Sequence, residues 1–354
     1  MTLFFDPYPP FLRWYKEENG NYEEGKCAFA PGWFDKVIKE VGGIKENESV
    51  GYCLYHGGEI IKSPVTRLNP AVVKRLEQCI KFSPECNALT FRVVRRCIKE
   101  FPGAKHTLLC DTAFFTNLPQ EASTYSVPYE LLKKGIRRYG GYGLCHQWAW
   151  EKTKIFSYTP MNKAISVYLG NHTNAVAIEK GISKETSSGF ANLEGIISSR
   201  SCGDIDPSVI FQLHSTGMSF TAISRLLSNE SGFTALIGKK TEFLDILKRG
   251  KGAKEVALRE IYYYNILKYV GAFISVLDGT DAIIFTSEEI KKAIPLILEI
   301  CKRFEFLGFK LKPKNSIDGN KIIFDLATKD SSIKVFCLEY NKRKVLTDWI
   351  KEDL

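Results

Sequence analysis

From Val50 onward, short apolar runs alternate with longer segments of helical spacing, and this alternation constrains the fold more than any other feature. It calls for an α/β architecture, with helices covering sheets of strands. Strands are expected at residues 50–55, 107–109, 164–169, 175–179 and 282–286, the first of them followed by a turn at Gly57 and Gly58. The pair 164–169 and 175–179, joined through a turn at 170–174, reads as a hairpin. Helical spacing covers residues 69–81, 88–101, 128–134, 144–150, 207–213, 219–227, 242–248, 253–278 and 288–304. The strand 107–109 delivers Asp111 at its carboxyl end, where α/β sheets place reactive groups. Residues 1–50 read as aromatic-rich and irregular, because Pro7, Pro9 and Pro10 argue against a regular central strand there.

A chain of 354 residues suits two domains better than one, since single cores rarely grow past about 250–300 residues. The formal charge of +9 is spread along the chain, and its densest runs, 248–254 and 342–344, read as solvated helix ends and loops. No basic stripe is interleaved with aromatics, so a nucleic-acid partner is not expected. A diffuse positive field favours an anionic substrate or a nucleotide. The ten cysteines form no Cys-x-x-Cys pair and no zinc spacing with histidine, which points to reduced thiols in a cytoplasmic protein. Prolines and charges interrupt the apolar start, and it is too short to span a membrane.

Several stretches, in this order, carry the functional signal: VGYCLYHGGE, CDTAFFTNLPQEASTYSVPYE, KKGIRRYGGYGLCHQW, AISVYLGNHTNAVAIEKG, ETSSGFANLEG, CGDIDP, NESGF and YVGAFISVLDGTDAIIFT. Together they resemble the acetate kinase family, a branch of the actin-like sugar-kinase and Hsp70 superfamily. The DTAF and LEG…GDIDP pieces favour its acetate and propionate kinases over the butyrate kinases. The resemblance implies an α/β, two-domain actin-like (ribonuclease H-like) fold. Its first domain would comprise residues 1–115 plus 341–354 and its second 116–340, with a cleft that closes by hinge motion. It also implies transfer of the γ-phosphoryl group of ATP to a short-chain carboxylate, giving ADP and an acyl phosphate, with Mg²⁺ as cofactor and a homodimer as the assembly.

Such chemistry depends on neutralising phosphate charge with arginine, histidine, metal and backbone N–H donors. By resemblance, Asp111 takes the metal-associated carboxylate position, Asn87 the position after the substrate-site histidine, and Gly170 and Asn171 the start of a phosphate turn. His56, Glu59 and His146 keep family positions, the two histidines as hydrogen-bonding groups of the fold. Asp204 and Asp206 keep a segment read as structural. Other positions depart from the pattern. The glycine- and serine-rich first loop is replaced by a stretch starting Asp6-Pro7. Cys53 stands for an arginine and Cys86 for a histidine. Gly141 and Tyr142 replace a Phe-His pair. Tyr168 stands for a histidine, His172 for the second glycine of the phosphate turn, and Glu242 for an adenine-site aspartate. The glycine loop expected after residues 282–286 is replaced by Ser287 to Ile290, and the acidic pair near the carboxyl end has no clear counterpart around 340–344. Arg200 lies one residue early for the family's phosphoryl-binding arginine, an offset that a one-residue bulge would correct.

Two functions follow. The first is a degenerate family member with a nucleotide-binding, regulatory or scaffolding role, as a homodimer or paired with an active homologue. The second is an active kinase that uses Asp111 for Mg²⁺, Arg200 for the moving phosphoryl group and Asn87 for the carboxylate. Cys53 and Cys86 read as buried small hydrophobes, with a redox or metal site as the alternative.

Overall fold

A computed structural model of the chain describes all residues except 9, 192, 249, 314–321 and 353–354. Pro9, and Arg249 within the basic run 248–254, therefore lie outside the described residues. The chain divides into two compact units, Met1–Thr116 with Asn341–Leu354, and Asn117–Tyr340. No described helix is long and apolar enough to cross a membrane.

The first unit is built on a six-stranded sheet of β1 (Thr2–Tyr8), β2 (Phe11–Glu18), β3 (Asn21–Ala28), β4 (Ser49–Leu54), β5 (Val65–Arg67) and β6 (Lys105–Cys110), in the order β3-β2-β1-β4-β6-β5. This corrects the expectation of an irregular start. β1 lies inside the sheet, parallel to β4 and antiparallel to β2. The prolines are tolerated because β4 pairs only with Thr2 to Phe5. Pro7 lies beyond that ladder, where its missing N–H removes no bond to β4.

Side chains alternate across this sheet. Leu3 and Phe5 join a core with Val37, Leu76, Val93 and Cys97 from the helices Trp33–Val41, Pro70–Gln78 and Pro84–Glu100. On the other face the carboxyl-terminal helix Lys342–Glu352 packs so closely that a Cβ on Gly51 would overlap Ile350. The helix expected from residue 88 begins at Pro84, whose fixed φ suits a first helical position. The helix expected to run to Lys81 ends at Gln78 and continues as a 3-10 turn, Cys79–Phe82. The helix Trp33–Val41 and strand β5 went unread.

The second unit holds β7 (Lys163–Tyr168), β8 (Asn174–Glu179), β9 (Ile182–Thr186), β10 (Ala282–Ser287), β11 (Ile323–Asp325) and β12 (Lys334–Glu339), in the order β11-β12-β10-β7-β8-β9. β7 and β8 form the expected hairpin, and β10 runs parallel to both β7 and β12. One face buries Ile165, Val167, Ile283 and Phe285 against the long helices Ala253–Val276 and Ile290–Lys302. The helix Gly143–Phe156 packs on β7 and β10, with His146 bonded to Ser166 of β7. Strands β9, β11 and β12 were not anticipated.

Candidate functional site

In the first unit, β1, β4 and β6 run parallel, and their carboxyl ends carry Asp6, Cys53 and Asp111. A shared direction brings these groups to one edge, as reactive edges of α/β sheets require. Asp6 is fully buried. It accepts a hydrogen bond from the Tyr55 hydroxyl at 2.6 Å and from the Lys342 ammonium at 2.8 Å, and it sits opposite Arg13 in the β1–β2 hairpin. Burial opposes its charge, but Lys342, Tyr55 and Arg13 together hold the carboxyl below its ordinary range. Burial likewise opposes charge on Lys342, and Asp6 outweighs it, pushing that ammonium up. A lysine thus stands near the carboxyl end where the family resemblance implies acidic residues, and it is bound to the aspartate of the altered first loop.

Cys53 is buried, and burial pushes its thiol well up; Lys342 opposes this, while Asp6 and Asp111 add to it. Cys86 is half-buried, and its thiol is also raised by burial, against a hydrogen bond from Ser83. Both are neutral thiols near pH 7, so neither supplies the charge that the family resemblance leads one to expect at its position. Asn87 has no exposure. Its Nδ2 donates to the carbonyls of His56 and Cys79, both at 2.7 Å, and its Oδ1 has no hydrogen-bond partner among the described residues. The His56 ring stacks on Phe82 at 5.0 Å and its Nδ1 accepts from Gly58 N–H at 3.1 Å, leaving Glu59 exposed beyond the turn. Sequence reasoning missed how this turn is held. Cys79 donates to the Gly57 carbonyl at 3.3 Å, and a Cβ on Gly57 would meet the Cys110 sulfur. No local signal pointed to it, because Cys79 and Cys110 both lie well downstream of the paired glycines in the sequence.

In the second unit, Tyr168 ends β7 beside Thr286 of β10, and Gly170, Asn171 and His172 lie in the turn to β8. The Tyr168 ring lies against Gly170, so that a Cβ there would sit 3.0 Å from it. Tyr142 stacks on Tyr168 at 4.9 Å, Tyr340 meets it edge-on at 6.1 Å, and His172 lies 6.4 Å from Tyr142. Tyr142 has a left-handed backbone (φ 60°) at the entry to the helix Gly143–Phe156, which the turn 140–143 was expected to precede. Burial keeps the Tyr168 phenol neutral, with Tyr142 and Glu288 pushing the same way.

Asn171 is tied into the scaffold. Its Oδ1 accepts from Ser199 Oγ and from Phe243 N–H, both at 2.8 Å, and its carbonyl accepts from Ser199 N–H. Arg200 follows Ser199 and is exposed, and its carbonyl accepts from Ser231 N–H. Burial lowers the pKa of His172, and the nearby Arg200 guanidinium lowers it further. The structure thus gathers Tyr142, Tyr168, Gly170, Asn171, His172 and Arg200 around one turn. Glu242 caps the short helix Phe243–Leu247 through a reciprocal pair with Asp245 and also bonds Lys240, so its carboxylate is already used. His146 is buried between Ser166 and Asn174, and Asp204 accepts from Gly195 N–H, Lys268 and Tyr269. All three serve the fold.

The profile of the Acetokinase family matches residues 33–348. The chain belongs to the Acetokinase family. It is 33% identical over 320 residues to the acetate kinase of Halothermothrix orenii, covering 88% of this chain and 79% of that relative. It is 31% identical over 324 residues to the acetate kinase of Methanosarcina thermophila, covering 89% and 78%. Among solved structures, Porphyromonas gingivalis acetate kinase superposes with a TM-score of 0.85 at 22% identity, covering 99% of this chain and 98% of that one. A propionate kinase from Francisella tularensis gives 0.86 at 20% identity, covering 100% and 99%. These likenesses establish the two-domain α/β kinase fold.

The family implies a magnesium ion, and the donor set of the first unit was tested against it. Among the described residues, no group of three or more His, Cys, Asp or Glu side chains is placed to hold a metal. The groups at the same sheet edge as Asp111 are Asp6, already bonded to Lys342 and Tyr55, and the neutral Cys53 thiol. Hard cations take oxygen ligands, and a neighbouring ammonium repels them. The residues present do not fit a protein-held magnesium centre.

Proposed function

We propose that this Acetokinase-family chain has lost acetate kinase turnover or retains it only weakly, and that it acts as a nucleotide-binding, regulatory or scaffolding protein. The observation that carries this reading is the Tyr168 ring against Gly170, with Tyr142 and Tyr340 packed behind it. A phosphate turn works through open backbone N–H groups, and here a neutral aromatic ring lies beside the glycine of that turn. The neutral groups at Cys53, Cys86, Tyr142 and Tyr168 act in the same direction. Loss of one positioned donor typically costs about 2.7–4 kcal/mol of transition-state stabilisation, and even a strongly non-additive sum removes ordinary turnover.

On this reading the two compact units are the two actin-like domains, with residues 341–354 returning to the first. The family's dimer surface would pair two copies, or one copy with an active homologue. The exposed Arg200 beside His172 favours a second reading, an active kinase with a remodelled site in which Arg200 meets the phosphoryl group and Asp111 the metal.

Acyl-phosphate formation from ATP and Mg²⁺ with acetate, propionate and butyrate, trapped as the hydroxamate, separates the two. The expected result is turnover no greater in the chain than in Asp111→Ala. Turnover that Asp111→Ala abolishes would establish the second reading. Thermal shifts with ATP and ADP then divide nucleotide binding from pure scaffolding, because a ligand that binds only the folded chain must raise its melting temperature.

A further inference from the structure

A cavity of about 690 Å³ opens in the first unit at the amino end of β6. Asp111 lies at the opposite end of that strand, about 20 Å away at roughly 3.3 Å per residue. The volume is within the range that encloses a small molecule. Arg67, Arg95, Lys99 and Lys105 line it together with Leu68, Val73 and Ile98, and no acidic side chain does. Arg95, Lys99 and Lys105 form no ion pair with any described residue, whereas the neighbouring Arg96 is paired with Glu100 and Asp35. The cap of the helix Pro70–Gln78 also lies on the rim, with Asn69 Oδ1 accepting from Val72 N–H at 3.0 Å. At the base sits His106, its Nδ1 2.6 Å from the Tyr52 hydroxyl and its Nε2 3.0 Å from the Phe101 carbonyl. Burial lowers its pKa, against the Phe101 hydrogen bond, so it adds no charge at neutral pH.

Arg95 and Lys99 are exposed and Lys105 is half-buried, so water solvates all three, but with no acidic side chain on the lining they give the cavity a positive field that concentrates anions. One carboxylate offers a single charge, whereas a phosphomonoester offers about 1.5–2 negative charges and three acceptor oxygens at pH 7. We propose that this cavity binds a small phosphomonoester with an apolar or aromatic body. Arg95, Lys99 and Lys105 hold the phosphate, and the body rests on Leu68, Val73 and Ile98. The site is separate from the edge that carries Asp111, and the proposal holds whether or not the chain turns over acyl phosphate.

The probe is 1-naphthyl phosphate, titrated into the full chain at low salt by calorimetry, with the His106 ring protons followed by NMR. With five histidines in the chain, the His106 resonances can be assigned. They are expected to move on titration, and inorganic phosphate, 1-naphthol and 1-naphthoate are each expected to bind at least about tenfold more weakly. Arg95→Ala with Lys105→Ala should raise Kd by at least about tenfold, the size of one lost charge-assisted contact. The NMR arm uses the unaltered chain and so does not depend on the variant folding. Unmoved His106 resonances at saturation, an unchanged Kd in the double variant, or equal affinity for 1-naphthoate would each overturn the proposal.

Discussion

Replacing Lys342 with methionine isolates the electrostatic feature that departs furthest from what the family resemblance implied. The substitution keeps most of the side-chain volume but leaves the buried Asp6 carboxylate with only Tyr55 and Arg13. Removing one partner of a buried ion pair typically costs about 3–5 kcal/mol. Here the figure falls toward about 2–3 kcal/mol, because the Lys342 side chain keeps 29% exposure and Tyr55 still donates to Asp6. For a unit of this size that is roughly a 5–10 °C fall in melting temperature. The pH dependence gives the sharper check. In the parent, Asp6 has a lowered carboxyl pKa, so its stabilising effect is present above the unfolded value and disappears as pH falls through the folded one. In Lys342→Met the carboxyl rises instead, so the deficit relative to the parent should be largest near neutrality and shrink below about pH 5. Asp6→Asn with Lys342→Met removes both charges and should recover much of the loss in a double-mutant cycle. Urea unfolding followed by circular dichroism measures both variants and Asp6→Asn alone, which completes the cycle. A single variant as stable as the parent, or a deficit that grows on acidification, would refute the reasoning.

Other outcomes follow from the same geometry. His146 is buried neutral, with its pKa lowered by burial to about 4 against the Asn174 hydrogen bond. The unfolded chain therefore binds an extra proton at this site between about pH 4 and 6.5, stability should decline across that window as pH falls, and His146→Gln should make the slope shallower in equilibrium unfolding, with the lowered His106 and His172 supplying the remainder. Gly232 has φ +67°, and a Cβ there would overlap the Ser198 carbonyl. Gly232→Ala should cost about 1–3 kcal/mol by thermal melting and displace the 198–201 loop that carries Arg200. Of the ten cysteines only Cys86 and Cys202 are half-buried. In the native chain these two should react with a thiol reagent first, and labelling of Cys53 or Cys110 before unfolding would contradict the burial described here.

The placement of several candidate residues on their elements was legible in the sequence because those signals are local. Asp111 falls at the end of an apolar strand, and the 170–174 turn lies between two strands that pair as a hairpin. Both follow from neighbouring residues. Residues 1–50 were misread because proline penalties were applied as though β1 were paired on both sides along its whole length. Only the register with β4, set by residues almost 50 positions away, shows that Pro7 lies past the shared ladder. β12 was missed although it is an apolar run, and the cap formed by Glu242 was not visible because the sequence does not show which partner a carboxylate will find.

What the sequence alone determined is the family, the α/β alternation and the chemical type at each position, including cysteine at 53 and 86 and tyrosine at 168 where the resemblance implies arginine or histidine. Only tertiary structure decided what fills the altered places: Lys342 against Asp6, and the Tyr168 ring against Gly170. The physical reason is range. Strand and helix signals act over a few residues through backbone sterics and side-chain periodicity. The Asp6–Lys342 contact joins groups 336 residues apart, and the pairing that keeps both charged against burial exists only once the sheet and its covering helix have closed over them.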